Sequence, residues 1–148
     1  MKPALLDANL LIALLWPTHE HHQRAQAWFA SDGRRRWATC PLTQLAFARI
    51  VSNPAFSPDA LGPTEAIMLL ERNLRHPRHL FWPDDVALDE LADAARGTAG
   101  LQGHRQVIDL YLLALAARHG GAIATFDAGL RSLATARMKD AIEIVELR

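Results

Sequence analysis

The sequence has one cysteine, no excess of either charge and no apolar stretch long enough to cross a bilayer. Cys40 has no partner for an internal disulfide, so the chain must fold without one, as is usual in a reducing cytoplasm. The 16 basic residues are balanced by 16 acidic ones, so an anionic substrate would have to be attracted by a local feature of the surface. The longest apolar runs, Leu10 to Trp16 and Leu110 to Ala117, are far shorter than the ~20 residues of a membrane helix.

The N-terminal apolar stretch does not resemble a signal peptide, because Asp7 and Asn9 interrupt it. We therefore expect a cytoplasmic protein. Half of the 148 residues are hydrophobic and 22% are charged, which is an ordinary globular mixture. With no linker and no internal repeat, residues 1–148 are expected to form a single domain.

Short apolar segments alternate with segments of helical periodicity along the chain. Strands are predicted at Ala4 to Leu6, in "WATC", in "HLFWP", at Ala122 to Phe126 and in "IEIVEL". Helices are predicted between Asp7 and Pro17, and at His19 to Ser31, Leu42 to Val51, Thr64 to Leu74, Ala87 to Arg96, Gln106 to His119 and Ala128 to Ala136. This alternation predicts an α/β three-layer sandwich in which a five-stranded parallel sheet is flanked by helices.

Two of the predicted strands end on an aspartate: "PALLDANLLI" contains Asp7, and "AIATFDAGL" contains Asp127. The carboxyl ends of parallel strands lie at one edge of a sheet, and ligands bind there where the strand order reverses. Asp109 interrupts the otherwise apolar helix before the fourth strand, where an uncompensated carboxylate is costly. Three carboxylates held together need a cation, and their oxygen ligands suit Mg²⁺, with Mn²⁺ as the alternative.

Each of these aspartates also has a purely structural interpretation. Asp7 and Asp127 could cap the helices that follow them. Asp109 could contact Arg105 one turn back, or it could cap its own helix.

Two polar neighbours extend the candidate site. Asn9 could orient Asp7 or a bound water, or it could cap the first helix. Thr125 could hydrogen-bond a neighbouring metal ligand, although a threonine in a strand needs no such role.

Two other motifs are better explained by a solvated surface. The stretch "THEHH" is not a His-Glu-x-x-His zinc motif, because the second histidine would have to stand at Gln23. A solvated helix start is expected there, with RNA or subunit contact as the alternative. The run "RRR" at 34–36 precedes a strand, so a solvated loop at the opposite edge of the sheet is expected.

The chain resembles the PIN-domain nucleases, and more closely the VapC-like toxins of toxin-antitoxin pairs. The resemblance is carried by "LLDANLLIALLWPTHEHH", "WATCPLTQLAFARIVSNPAF", "GHRQVIDLYLLALAARHGG" and "AIATFDAGL", which cover nearly the whole chain. It implies a metal-dependent endoribonuclease with Asp7, Asp109 and Asp127 as catalytic metal ligands. It also implies a homodimer and a cognate antitoxin protein as partners.

The sequence departs from the family pattern at two positions. A glutamate is usual on the helix after the second strand, where this chain has Gln44, so a second metal ion would be held poorly. Ala128 replaces a residue that is often basic, which removes one contact with phosphate. Arg49 and Arg105 are candidates for RNA phosphate contacts, and a structural pairing with carboxylates is equally open for both.

Two rival functions remain open at this point. Gln44 favours a weak or inactive PIN-like domain that binds RNA or an antitoxin without cutting. The strand ending in Asp7 also suggests a haloacid-dehalogenase-like phosphatase, but that family needs a second aspartate where this chain has Asn9.

Overall fold

The computed structural model of the protein describes residues 1–98 and 100–147. The strands are β1 (Ala4–Leu6), β2 (Trp37–Thr39), β3 (His79–Phe81), β4 (Ala122–Thr125) and β5 (Ile142–Ile144). The α-helices are α1 (Ala8–Leu15), α2 (His22–Ala30), α3 (Pro41–Val51), α4 (Pro63–Asn73), α5 (Leu88–Gly97) and α6 (Gln106–Arg118). Two 3₁₀ helices, Ala128–Leu133 and Ala136–Ala141, stand between β4 and β5.

All strand pairs are parallel, and the order across the sheet is β3-β2-β1-β4-β5. Alternate residues of the central strands β2, β1 and β4 enter one of two apolar cores. Leu6 packs with residues of α1 to α4 on one face of the sheet, and its neighbour Leu5 packs with α6 and the 3₁₀ helices on the other. The predicted three-layer α/β sandwich is therefore confirmed. Cys40 is fully buried in the second core.

Two predicted helices differ from the structure. The helix expected from His19 begins at His22, because the backbone N–H of His21 donates to His19 Nδ1 (3.0 Å) and closes a local turn. The helix expected over Ala128 to Ala136 is replaced by the two 3₁₀ helices. Gly129 disfavours an α-helix there, and the Ser132 hydroxyl donates to the Gly129 carbonyl (2.8 Å), in place of the helical ladder.

The expectation of a solvated loop at 34–36 is wrong for Arg35. Its guanidinium is 2.8 Å from the Glu143 carboxylate, and the Arg35 side chain is only 16% exposed. The indole of Trp28 donates to the same carboxylate (2.8 Å), so the Glu143 side chain links α2 to the strand β5. Arg35 and Glu143 are 108 residues apart in the chain, so the sequence pattern could not predict their contact.

Within residues 1–98 and 100–147, no helix combines the length and the apolar character of a bilayer-spanning segment.

The turn into β4 depends on a glycine. A Cβ atom at Gly121 would lie 2.6 Å from the Pro3 carbonyl oxygen and 2.6 Å from the ring of Trp82. Trp82 is buried and stacks on His119, so it cannot move away freely. We expect Gly121→Ala to lower the free energy of unfolding by about 1–3 kcal/mol, measured by urea denaturation. Gly33→Ala is the matched control, because nothing lies within 4 Å of that position, and an equal loss in both variants would contradict this account.

Candidate active site

The sheet has one point where the strand order reverses, between β1 and β4. Asp7 directly follows β1, and Asp127 stands two residues after β4, so both lie at the carboxyl edge beside this point. The helix α6 leads back into β4 and therefore starts near the same edge, with Asp109 in its first turn. The topology thus brings the three predicted carboxylates to one side of the molecule.

Asp7 is half-buried and held from two sides. The Ala8 backbone N–H donates to its Oδ1 (2.8 Å), which caps α1, and the Thr125 hydroxyl donates to its Oδ2 (2.7 Å). Burial raises the pKa of Asp7 and so does the charge of Asp127, while the two hydrogen bonds oppose the shift. Asp7 therefore caps a helix and also stands in a group of acidic side chains.

Asp109 is half-buried and has neither a hydrogen bond nor an ion pair with another described residue. The predicted alternatives of a contact with Arg105 and of a helix cap are both wrong. Burial raises the pKa of Asp109, and the charges of Asp7 and Asp127 raise it further. Within residues 1–98 and 100–147 its oxygens are therefore free to act as ligands, and no arginine or lysine there pairs with its charge.

Asp127 is exposed and caps the first 3₁₀ helix through a hydrogen bond from the Gly129 N–H to its Oδ1 (2.9 Å). The three carboxylates lie close enough for their charges to interact, but they do not form a complete metal-binding cage. Across the described ranges, no group of three or more His, Cys, Asp and Glu side chains is arranged around a common metal position. Repulsion between the carboxylates opposes such a cage, and a cation would favour it. The donor set, three carboxylates with free lone pairs, fits a hard divalent cation.

Comparison with known proteins decides the family. The chain matches the PIN domain over residues 4–136. It belongs to the PIN-domain family.

The relatives of this PIN domain include ribonucleases of Mycobacterium tuberculosis. The chain is 42% identical to "Ribonuclease VapC39" over 139 residues, which are 94% of this chain and 99% of the relative. It is 40% identical to "Ribonuclease VapC38" over 144 residues, or 97% and 99% of the two chains. It is 41% identical to "Ribonuclease VapC44" over 126 residues, or 84% and 85%. The predicted resemblance to VapC-like PIN domains is confirmed.

Gln44 stands where the family pattern has a glutamate. It is half-buried in the first turn of α3. The Gln44 Nε2 donates to the Thr39 hydroxyl (2.9 Å), which ties the amide to the end of β2. Because α3 follows β2, which is the neighbour of β1, Gln44 lies at the same edge of the sheet as Asp7.

The remaining predicted residues are all on the surface. Asn9 is exposed and is the second residue of α1, so the interpretation as a helix cap is wrong, since Asp7 has that position. Arg49 and Arg105 are exposed and form no ion pair with any described carboxylate, so the structural pairing considered for them is absent. Ala128 is exposed at the start of the first 3₁₀ helix.

The stretch "THEHH" is less solvated than its composition indicated. The His22 Nδ1 lies 2.7 Å from the Ala13 carbonyl oxygen, and the His21 ring packs 5.4 Å from that of Phe126. Phe126 directly precedes Asp127, so His21 lies beside the acidic edge. The sequence could not show this, because it depends on how α2 packs against α1.

Sequence reasoning missed Thr39 and His79. The hydroxyl of Thr39 is 2.8 Å from His79 Nε2 as well as bonded to Gln44. A polar residue in the otherwise apolar strand "WATC" was the available signal. The contact with His79 follows from the pairing of β2 with β3, which only the structure provides.

Proposed function

We propose that this protein is a metal-dependent endoribonuclease, the toxin component of a toxin-antitoxin pair, which hydrolyses RNA phosphodiester bonds at its acidic edge. The observation that carries the proposal is the convergence of Asp7, Asp109 and Asp127 at the switch point of the sheet, where burial and the neighbouring carboxylates raise the pKa of Asp7 and Asp109. None of the three pairs with an arginine or lysine among the described side chains. The identity of 40–42% to proteins named ribonucleases supports the same reaction.

The residues have distinct roles in the proposed reaction. Asp7, Asp109 and Asp127 would hold the cation, with Gln44 contributing a neutral oxygen. A bound Mg²⁺ or Mn²⁺ would supply positive charge for a phosphodiester oxygen and would lower the pKa of an attacking water. Thr125 fixes the carboxylate of Asp7 by its hydrogen bond, which leaves a second lone pair on each carboxylate oxygen.

The carboxylates of the acidic edge repel the phosphates of RNA unless a cation is bound, so RNA binding also needs positive side chains nearby. Arg49 and Arg105 are exposed and without an ion pair in residues 1–98 and 100–147, so both guanidinium groups are available for phosphates beside the cleaved bond. Asn9 is exposed two residues after Asp7, where it could orient a water at the site.

The proposal includes partners and a location. We expect a homodimer, a small cognate antitoxin that occupies the acidic edge, and action in the cytoplasm as a single-domain protein. An antitoxin that inhibits there should carry a basic side chain, since the acidic edge would otherwise be left without a counter-charge.

Metal removal tests the function directly. Purified protein is incubated with end-labelled structured RNA in Mg²⁺ or Mn²⁺, in EDTA, and after the metal is restored. The Asp7→Asn variant, purified identically, is the control for contaminating nuclease. We expect cleavage by the wild-type protein only, abolished by EDTA and restored by metal. Equal fragments from both preparations would contradict the proposal. RNA retention without cleavage would replace it by the binding function that Gln44 first suggested.

A further inference from the structure

Three polar side chains from different elements form a continuous relay behind the acidic edge. Thr39 at the end of β2 is completely buried, and its Oγ1 lies 2.9 Å from Gln44 Nε2 and 2.8 Å from His79 Nε2. Thr39 is paired with Phe81 in the sheet, so His79, two residues earlier, is its diagonal neighbour on the same face. Because the Thr39 hydroxyl is buried, it should donate its proton to one of its two neighbours and accept a proton from the other.

A hydroxyl has one proton and two lone pairs, and Thr39 Oγ1 has no polar contact with a described residue other than Gln44 and His79. Its proton must therefore go to one of these two, and two arrangements satisfy the relay. In the first, Gln44 donates its amide N–H to Thr39, and Thr39 donates to an unprotonated His79 Nε2. In the second, His79 donates from Nε2 to Thr39, and Thr39 donates to the Gln44 carbonyl oxygen. The two arrangements present opposite ends of the Gln44 amide to the acidic edge.

The orientation of the Gln44 amide selects the first arrangement. Gln44 Nε2, rather than its carbonyl oxygen, faces Thr39 Oγ1, so the hydroxyl proton is left for His79 Nε2 and the proton of a neutral His79 ring stands on Nδ1. Burial lowers the pKa of His79, and the nearby His76 lowers it further, so the ring is neutral near pH 7 with a single proton. The ring of Trp37 covers His79 at 4.7 Å and brings no charge.

The first arrangement leaves the carbonyl oxygen of Gln44 without an internal partner. No described residue donates to this oxygen, and it is not among the buried unpartnered atoms, so it reaches solvent. We propose that Thr39 and His79 are positioning residues that hold Gln44 with its carbonyl oxygen outward, as the neutral oxygen ligand of the acidic edge. This inference rests on the proposed function for the role of Gln44, but the orientation of the amide can be tested without activity.

The tautomer of His79 is the activity-independent test. Long-range ¹H–¹⁵N spectra of the metal-free protein should show His79 protonated at Nδ1, with Nε2 as an acceptor. In Gln44→Glu the carboxylate can only accept, so Thr39 must donate to it and His79 must donate from Nε2. We therefore expect the substitution to move the His79 proton to Nε2. An Nε2-protonated ring in the wild-type protein, or a tautomer unchanged by Gln44→Glu, would overturn the relay.

The functional test is a double-mutant cycle on RNA cleavage and on Mn²⁺ binding by calorimetry. Thr39→Val removes the hydroxyl with little change of shape and should reduce kcat and Mn²⁺ affinity about 10- to 100-fold, with KM for RNA nearly unchanged. Thr39→Ser keeps the hydroxyl and should retain most of the activity. Thr39→Val should have no further effect in a Gln44→Leu background, because the group that it positions is gone.

The outcomes separate this inference from the proposed function. No cleavage by the wild-type protein would overturn the ribonuclease, and the tautomer experiment would still decide the relay. A cleaving wild-type protein in which Thr39→Val and Gln44→Leu act additively would overturn the positioning role alone. Thermal unfolding of each variant identifies a general loss of folding, which Thr39→Ser should not show.

Discussion

Replacing Asp109 by asparagine is expected to reduce RNA cleavage by about 100- to 1,000-fold and at the same time to stabilise the metal-free protein. The loss of cleavage follows because asparagine keeps one oxygen but removes the charge that attracts a cation. The gain in stability follows because the half-buried Asp109 carboxylate pairs with no cationic side chain in the described part of the chain and stands near Asp7 and Asp127. Opposite effects on activity and stability are typical of a functional residue rather than of a structural one.

The stability effect has a defined pH dependence. Burial, and then the charges of Asp7 and Asp127, raise the pKa of Asp109 in the folded protein above its unfolded value of 3.8. The folded state therefore binds this proton more tightly, so the favourable contribution present at low pH is lost as the pH rises through the folded pKa. We expect the free energy of unfolding of the metal-free wild-type protein to fall as the pH rises from 3.8 to the folded pKa of Asp109. The Asp109→Asn variant should show a smaller fall.

Urea denaturation from about pH 4 to 7, with and without Mg²⁺, measures this effect. Asp140→Asn is the matched control, since Asp140 is exposed and its carboxylate is outside the acidic edge. Mg²⁺ should stabilise the wild-type protein and the control variant at pH 7, and it should stabilise Asp109→Asn much less. An equal response of all three proteins to Mg²⁺ would contradict the role of Asp109.

Replacing Gln44 by glutamate is expected to tighten Mg²⁺ binding about tenfold or more and to increase cleavage. A fourth carboxylate near a divalent cation adds attraction of several kcal/mol at an effective dielectric constant of about 20, part of which is lost to desolvation. The same substitution adds a like charge to the coupled aspartates, so the metal-free protein should unfold at lower urea concentration. The price of a stronger site is thus a less stable apoprotein.

Calorimetric titration with Mg²⁺ and cleavage assays on the same preparations measure both effects. Gln44→Leu has no side-chain oxygen to bind a cation, so it should bind Mg²⁺ more weakly than the wild-type protein. If Gln44→Glu and Gln44→Leu bound Mg²⁺ equally, Gln44 would not belong to the cation site.

Much of the fold could be predicted because the local patterns agree with the topology. The apolar segments that end at Leu6 and Thr125 become buried parallel strands, with boundaries shifted by at most a residue or two. The failures lie where local side-chain contacts compete with the helical pattern, as with His19 before α2 and Ser132 after β4. Those contacts depend on side-chain positions that a hydrophobic period does not describe.

The site could be predicted only as far as strand ends allow. Asp7 and Asp127 could be singled out as candidates because each follows a strand, and the contact of Thr125 with Asp7 follows from the pairing of β4 with β1. The relay from Gln44 through Thr39 to His79 could not be found, since it requires the register of β2 against β3. The same holds for the position of His21 beside Phe126.

The most direct test is the position of a bound cation. Anomalous diffraction from crystals soaked in Mn²⁺ should give a peak contacted by carboxylate oxygens of Asp7, Asp109 and Asp127 together, and the peak should be absent in Asp109→Asn. A peak bound elsewhere, or no peak at saturating Mn²⁺ in crystals with an open acidic edge, would contradict the account.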